Sequence, residues 1–116
     1  MLAASRSNPV TPRAKTLYYL GFTSYKAYLR SALWKWIRGK VFKQKGHTCA
    51  LCDRRATQIH HRSYDRLTLR GITLDYLEPV CSGCHRKIEV TPTGRKRKRT
   101  AVEAMFVRLK RKKLAR

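Results

Sequence analysis

Two cysteines and two adjacent histidines lie within one short segment, CALCDRRATQIHHRSYD, which covers residues 49–65. A second Cys-x-x-Cys pair, Cys81 and Cys84, follows it, and His85 comes directly after that pair. Thiolate sulfur and imidazole nitrogen are both ligands of transition metals. These residue types therefore indicate metal chemistry, and their spacing leaves open whether one ion or two are bound.

The four cysteines form two Cys-x-x-Cys knuckles, Cys49 with Cys52 and Cys81 with Cys84. Two knuckles from separate backbone segments supply the four ligands of a tetrahedral zinc site, and the intervening segment is long enough to fold back as a hairpin. The alternatives are two disulfides or four small buried side chains. Because no secretory signal is evident, we expect a reducing compartment, in which disulfides are rare. The prediction is a structural zinc ion with sulfur at every position.

With the cysteines assigned to zinc, His60, His61 and His85 are available for a second site. Neutral imidazoles can hold a catalytic cation while leaving positions for phosphate and water, and a further imidazole, with an ordinary pKa of about 6.5, can act as a general base. Neighbours on a regular strand face opposite sides, so His60 and His61 serve one site only if the strand end twists. The alternative is that these histidines donate hydrogen bonds or contact phosphate.

Charge is the strongest compositional signal. Across 116 residues, 28 Lys and Arg face six Asp and Glu, which gives a formal net charge of +22. Such an excess favours nucleic acid as the partner, with DNA preferred, and a homodimer or a larger nucleoprotein assembly stays open. No stretch is apolar enough to cross a membrane. We expect an intracellular protein, cytoplasmic or nucleoid-associated, that is not secreted. The expected phosphate contacts are Arg62, Arg86, Lys87, Arg95, Lys96, Arg97, Lys98 and Arg99.

The pattern divides the chain into a basic arm (1–22), a central domain (23–92) and a basic tail (93–116). The arm has no sustained period. A single amphipathic helix is predicted from Thr23 or Ser24, one of which caps it, to Gly46. Its apolar face comprises Tyr25, Tyr28, Leu29, Ala32, Leu33, Trp36, Ile37 and Val41, with Trp34 at the edge.

The remaining elements are short. Residues 57–61 and the alternating segment 68–74 around Gly71 predict strands. A helix is expected from Cys81 or Ser82 to about Val90. Residues 93–99 are predicted to be a linker, followed by a basic helix that begins at Thr100 with a capping box to Glu103.

In these blocks the sequence resembles the HNH nucleases that carry a four-cysteine zinc site. Tyr28, Leu29, Ser31, Trp34 and Arg38 match the family's Tyr-Leu-x-Ser-x-x-Trp-x-x-x-Arg helix. His60, His61 and Tyr64 match its His-His-x-x-Tyr strand end, and Cys81, Cys84 and His85 match its Cys-x-x-Cys-His. The resemblance covers roughly residues 25–90.

The resemblance implies an α+β, zinc-stapled ββα-metal domain, here with an amphipathic helix before it and a basic helix after it. It implies that His61 is the general base and that His60 and His85 bind a divalent cation (Mg²⁺ or Mn²⁺, with Ni²⁺ or Zn²⁺ as alternatives). Arg62 or Arg86 would assist as cationic neighbours. The implied reaction is phosphodiester hydrolysis that leaves a 5′ phosphate and a 3′ hydroxyl.

The chain departs from the family's pattern at two places. Where the family has an Asn, or sometimes an Asp, that braces the loop of the base, Tyr76 is the aligned residue here, and the neighbouring Asp75 takes the bracing role if the loop is shifted by one residue. Glu89 stands where many relatives have a histidine; four residues after His85 on a helix, it either supports the metal site or is an ordinary solvated carboxylate. The leading hypothesis is a DNA endonuclease. The rival is a non-catalytic zinc module that binds DNA or RNA.

Overall fold

The computed structural model describes residues 11–116, so the part of the predicted arm formed by residues 1–10 lies outside the described residues. The described chain forms six helices and one two-stranded antiparallel sheet, an α+β composition as predicted. The helices are α1 (Pro12–Tyr19), α2 (Tyr25–Leu29), α3 (Ala32–Lys45), α4 (Arg66–Leu69), α5 (Ser82–Glu89) and α6 (Arg99–Leu114), and the strands are β1 (Gln58–His61) and β2 (Leu77–Val80).

The described residues divide into two units. Residues 11–40 and Ser63–Tyr76 form the first unit, and Val41–Arg62 with Leu77–Arg116 form the second. All four cysteines, together with His60, His61 and His85, belong to the second unit.

Tyr28 is the centre of the first unit. Its side chain is fully buried, its ring contacts Phe22 and Trp34 with centroids 5.4 and 5.6 Å away, and its hydroxyl donates a 2.8 Å hydrogen bond to the carbonyl of Leu69. The contact to Leu69 ties α2 to α4 through a buried polar pair. A buried carbonyl without a donor is costly, so this bond specifies where α4 lies.

Gly71 lies so close to the side chain of Ile37 that position 71 requires glycine. Gly71 has a φ of +74°, and a Cβ at that position would lie 2.6 Å from Cγ1 of Ile37. Glycine adopts this left-handed backbone conformation without strain, and it has no Cβ that would clash with Ile37.

The prediction of one continuous amphipathic helix is wrong. Ser24 caps α2 as expected, but Ser31 ends it: its hydroxyl donates to the carbonyl of Tyr28 and accepts from the amide of Trp34, which opens α3. The break changes the helical phase. Trp34 is consequently buried at 7% exposure, while Trp36, predicted to lie on the buried face, is 57% exposed. Gly46, with a φ of +82°, follows the end of α3 as predicted.

The arm, in which the sequence shows no sustained period, contains the helix α1. Thr11 caps α1 by accepting a hydrogen bond from the amide of Ala14, and Pro12 occupies the first turn, where its missing N–H costs nothing. Arg13 lies over the rings of Tyr25 and Tyr64, 4.7 and 5.0 Å from their centroids. Leu17 is the only buried side chain of this helix, which explains why no apolar period revealed it.

Two further local predictions are wrong. The segment 68–74, predicted as strands around Gly71, instead comprises the last two residues of α4 and a turn after it, and Asp65 caps α4 by accepting from the amide of Thr68. The capping box of Thr100 and Glu103 does not form. Helix α6 begins one residue earlier, at Arg99, and the carboxylate of Glu103 pairs with Arg62 instead.

The second unit is built on the hairpin of β1 and β2. Their antiparallel register pairs His60 with Glu78 and His61 with Leu77. Helix α5 follows β2 after Cys81, whose sulfur caps it, and α6 packs on α5. The core consists of Cys49, Leu51, Val80, Ile88, Val102 and Phe106, with the partly buried Met105 and Leu109 against it, so one face of α6 belongs to this core.

The predicted linker is a hydrogen-bonded turn. The amide of Thr91 donates to the carbonyl of Arg95, that of Arg97 donates to the carbonyl of Glu89, and Val90 forms a β-bridge with Lys96. The turn returns the chain to the end of α5 and thereby fixes where α6 begins.

We predict that Tyr28→Phe lowers the free energy of unfolding by about 1–3 kcal/mol, because the Leu69 carbonyl loses its donor in a buried position. Urea denaturation followed by circular dichroism measures the effect. Tyr19→Phe is the matched control, since Tyr19 is largely exposed. Equal stability of the two variants would contradict the assignment of this hydrogen bond as a tertiary constraint.

Candidate functional site

The four cysteine sulfurs converge on one point. Their ligand atoms all lie within 4.8 Å of one another, and Sγ of Cys52 is 3.5 Å from Sγ of Cys81. A tetrahedron of zinc–sulfur bonds of about 2.3 Å has sulfur–sulfur edges of about 3.8 Å. The sulfurs are free thiols rather than disulfides. The group therefore fits a structural zinc site, as the sequence predicted.

Backbone hydrogen bonds hold the knuckles in the conformation that the sulfurs need. The amide of Leu51 donates to Sγ of Cys49 at 3.4 Å, and the amide of Cys84 donates to Sγ of Cys81 at 3.3 Å. The first knuckle is anchored to the hairpin, because the amide of Ala50 donates to the carbonyl of Pro79 in β2 at 2.8 Å. Because the second knuckle directly follows β2 in the chain, the same sheet positions both knuckles.

The end of α6 is tied to the first knuckle. Nζ of Lys113 donates to the carbonyl of Cys49 at 3.2 Å and lies 3.0 Å from the carboxylate of Asp53, which Arg116 also approaches at 3.6 Å. Hydrogen bonding from Lys113 lowers the pKa of Asp53. Lys113 and Arg116 of the basic tail thus contact the protein itself rather than an external partner.

The proton affinities of the thiols differ within the group. Burial opposes ionisation of Cys81, but the amide of Cys84 and the neighbouring thiols outweigh it and lower the pKa of Cys81 to about 7. Burial and the neighbouring thiols raise the pKa of Cys84. One thiolate thus forms easily near neutral pH, and a cation is needed to hold the others ionised together.

A second group of possible metal ligands comprises His60, His85 and Glu89. One ligand atom from each lies within 4.8 Å of the others. Oε2 of Glu89 is 3.5 Å from Nδ1 of His60 and 3.9 Å from Nε2 of His85. The expected convergence of His60 and His85 is therefore present, and Glu89, for which two roles were open, lies beside both rings.

Strand alternation and helix spacing explain this convergence. Gln58 and His60 lie two residues apart on β1 and so share a face. On α5, His85 and Glu89 are separated by four residues and also share a face. Oε1 of Gln58 is 2.7 Å from Nδ1 of His85. If this amide oxygen accepts, Nδ1 carries the proton and the lone pair of Nε2 faces Glu89. Sequence reasoning missed Gln58, although its position two residues before His60 was a usable signal.

The surroundings of these side chains fit a bound cation. His60 is 1% exposed, and neither ring nitrogen makes a hydrogen bond among the described residues; Nδ1 has only the 3.5 Å approach of Glu89, an arrangement that is costly unless something coordinates the ring. Burial, with His60 and Arg99, lowers the pKa of His85, while contact with the His60 ring, and then Arg99, lowers the pKa of Glu89. A neutral imidazole and an ionised carboxylate are the protonation states that metal ligands require.

Arg99 links this group to the neighbouring strand. One of its nitrogens lies 3.7 Å from Oε1 of Glu89, and another donates to the carbonyl of His61 at 3.2 Å. Arg99 was predicted to contact phosphate, and its side chain is still 46% exposed, but its position also neutralises Glu89 and fixes the end of β1.

His61 lies outside the group of three. Its side chain is 2% exposed, and in the alternation of β1 it faces the side opposite His60. The strand end does not bring both histidines to the same ligand position. The general-base role that the family resemblance implies for His61 stays a prediction.

The basic residues predicted to contact phosphate divide into two classes. Arg62 is held inside the unit: it makes a bidentate contact with Glu103, lies 3.6 Å from Glu78 and covers the ring of Phe106 at 4.6 Å. Its guanidinium thus has carboxylate partners within the unit, and the phosphate contact expected of it stays a prediction. Arg86, Lys87 and Arg97, by contrast, line a shallow cavity of about 420 Å³ that no carboxylate lines. The side chains of Arg95, Lys96 and Lys98 are exposed.

Asp75, the candidate for bracing the base, is exposed in the first unit, and its amide donates to Oγ1 of Thr73 at 3.2 Å. Its bracing role stays a prediction.

None of the helices formed by residues 11–116 combines the length and the apolar composition that a bilayer crossing needs. Comparisons of the chain with protein-family models, with curated proteins and with solved structures each found no match. The function must therefore be argued from the geometry and from the motif residues.

We predict that Cys81→Ser abolishes stoichiometric zinc and the cooperative thermal transition of the second unit, because structural zinc contributes about 10 kcal/mol or more to folding in small domains. Elemental analysis and circular dichroism measure the two effects. Ser82→Ala, the exposed neighbour on α5, should retain both. A folded Cys81→Ser protein with undiminished zinc would show that the cysteines do not hold the ion.

Proposed function

We propose that this chain is a metal-dependent endonuclease of the HNH type that hydrolyses phosphodiester bonds in DNA. One observation carries the proposal. His60, His85 and Glu89 present converging ligand atoms beside a four-cysteine group that fits zinc. Two groups of this kind, one closed by sulfur and one of nitrogen and oxygen, suit a structural ion and a catalytic ion respectively.

The order of the surrounding elements supports the proposal. An antiparallel hairpin, β1 and β2, is followed at once by α5, and α5 contacts β1. This is the strand–strand–helix order that a ββα-metal domain requires. The histidine pair ends the first strand, and His85 lies in the first turn of the helix, where the resemblance to HNH nucleases expects them.

In the proposed mechanism, His60, His85 and Glu89 would hold a divalent cation, and Mg²⁺ or Mn²⁺ would be preferred because Glu89 would add an oxygen ligand. Such a cation, when bound, supplies electrostatic stabilisation of the negative charge that develops on the phosphate and on the departing 3′ oxygen. With Oε1 of Gln58 as the acceptor, Nδ1 of His85 would carry the proton and Nε2 would be the ligand atom. Arg99 offsets the charge of Glu89.

In this proposal, His61 removes a proton from the attacking water. An imidazole side chain can accept a proton near neutral pH, which suits a general base. His61 is the direct neighbour of His60 on β1, and Arg99 holds its backbone carbonyl at 3.2 Å. The products of the proposed reaction are a 5′ phosphate and a 3′ hydroxyl.

DNA would be held mainly through its phosphates. Arg86, Lys87 and Arg97 surround a cavity without a carboxylate, and Arg95, Lys96 and Lys98 are exposed nearby along the chain. Contacts of this kind position the duplex and give strong salt dependence but read no sequence.

A second function, a non-catalytic zinc module that binds DNA or RNA, is favoured by one observation. The His61 ring is almost fully buried and lies on the face of β1 opposite His60. If that arrangement persists when nucleic acid binds, the base cannot reach the water and the chain only binds.

We predict that the purified protein nicks supercoiled plasmid with Mg²⁺ or Mn²⁺, that EDTA stops nicking, and that His61→Ala abolishes nicking while DNA binding persists. General-base catalysis typically contributes about 10²–10⁴-fold to the rate, so the loss should be of that order. His47→Ala is the matched control, because His47 stacks on Phe42 and lies outside both ligand groups. Binding without cutting across several divalent metals would support the non-catalytic alternative instead.

Glu89→Gln should raise the Mn²⁺ concentration needed for half-maximal nicking by about tenfold or more, because the amide removes a charged ligand beside two imidazoles. Titration of nicking rate against Mn²⁺ measures the shift. Glu103→Gln is the control, since that carboxylate pairs with Arg62 and belongs to neither ligand group. An unchanged Mn²⁺ requirement in Glu89→Gln would show that Glu89 is not a ligand.

A further inference from the structure

The exposed face of α3 carries an aromatic ring whose exposure the fold does not explain. Trp36 is 57% exposed, whereas Trp34, two residues earlier on the same helix, is buried. Nζ of Lys40 lies 4.2 Å from the centroid of the Trp36 ring and also donates to the carbonyl of Gly71 at 3.5 Å. The ammonium is therefore held against the indole by a second contact within the first unit.

Small residues border this ring along the helix. Ala32 lies four positions before Trp36 and Gly39 lies three positions after it, so both are on its face. Gly39 is in the interior of α3, where glycine is the least favourable residue after proline. A Cβ at Gly39 would meet no described atom within 4 Å, so packing within the described residues does not require glycine there.

The unit that carries the ring has an excess of positive charge. The described residues of the first unit include nine Lys and Arg and only two carboxylates, Asp65 and Asp75. Asp65 is occupied as the cap of α4. Lys35, next to Trp36 in sequence, is exposed. An exposed indole among cations matches the pattern of surfaces that bind single-stranded nucleic acid, in which bases stack on aromatic rings and cations contact the backbone.

We propose that Trp36, Gly39 and Lys40 form a stacking site for an unpaired base, with Gly39 leaving room for the base beside the indole. Lys35 would contact the adjacent phosphate, and Lys40, held against the indole, would add positive charge beside the base. The site would give the protein affinity for single-stranded or locally opened nucleic acid without sequence readout. The inference rests on the nucleic-acid binding in the proposed function but not on hydrolysis.

Binding to a fluorescein-labelled oligothymidine of about twelve nucleotides, with no divalent metal other than the protein's zinc, tests the site. We expect the oligonucleotide to quench tryptophan emission in the wild type and not in Trp36→Phe, because the remaining indole is the buried Trp34. Trp36→Ala should weaken binding by about 5- to 150-fold, the effect of losing one stacked base.

Two further variants separate loss of the site from other effects. One tests the site without destabilising the helix, and the other removes an exposed aromatic ring elsewhere. Gly39→Gln should weaken binding without lowering the melting temperature, because glutamine is a better helix former and meets no described atom at its Cβ. Tyr19→Ala, which removes a ring that is 76% exposed on α1, should leave the affinity unchanged.

The outcomes separate this inference from the proposed function. If oligothymidine binds but Trp36→Ala retains wild-type affinity, or if Tyr19→Ala weakens binding equally, the stacking site is refuted while nucleic-acid binding stands. If plasmid is nicked by Trp36→Ala and wild type alike but oligothymidine does not bind, the nuclease stands without the site.

Discussion

The convergence of four cysteine sulfurs is the constraint on which the rest of the second unit depends. Sulfurs within 4.8 Å of one another join the segment before β1 to the segment that starts α5. The first knuckle is also tied to the sheet by the hydrogen bond from the amide of Ala50 to the carbonyl of Pro79. Lys113 ties the end of α6 to the same knuckle. A unit with so few apolar core residues needs such a staple, because its buried surface alone gives little stability.

The candidate catalytic group follows from that constraint by simple geometry. Cys84 places His85 in the first turn of α5, and helical spacing puts Glu89 on the same face. Strand alternation puts Gln58 and His60 on one face of β1, where Gln58 meets His85. Three ligand atoms then converge without any long-range loop having to close over them. The same alternation directs His61 to the other face, so the proposed base is the member of the site that depends most on how nucleic acid binds.

Sequence reasoning succeeded where chemistry is local and failed where tertiary contacts decide. Ligand spacing predicted the four-cysteine group, because each Cys-x-x-Cys knuckle fixes two sulfurs within four residues, and the zinc site next to His85 predicted its approach to His60. The helix break at Ser31 was missed because the apolar spacing continues across it; the burial of Trp34 in place of Trp36 depends on that break. The pairing of Arg62 with Glu103 joins residues far apart in sequence, so its charge appeared available for phosphate.

Anomalous diffraction from crystals of the protein grown with zinc and soaked in Mn²⁺ tests the central claim most directly. The account predicts a zinc peak among the four sulfurs and a separate manganese peak bounded by Nδ1 of His60, Nε2 of His85 and the carboxylate of Glu89. Absence of zinc from the sulfurs would contradict the structural staple. Manganese absent from the three side chains, with His60 and His85 too far apart to share an ion, would contradict the proposed catalytic centre.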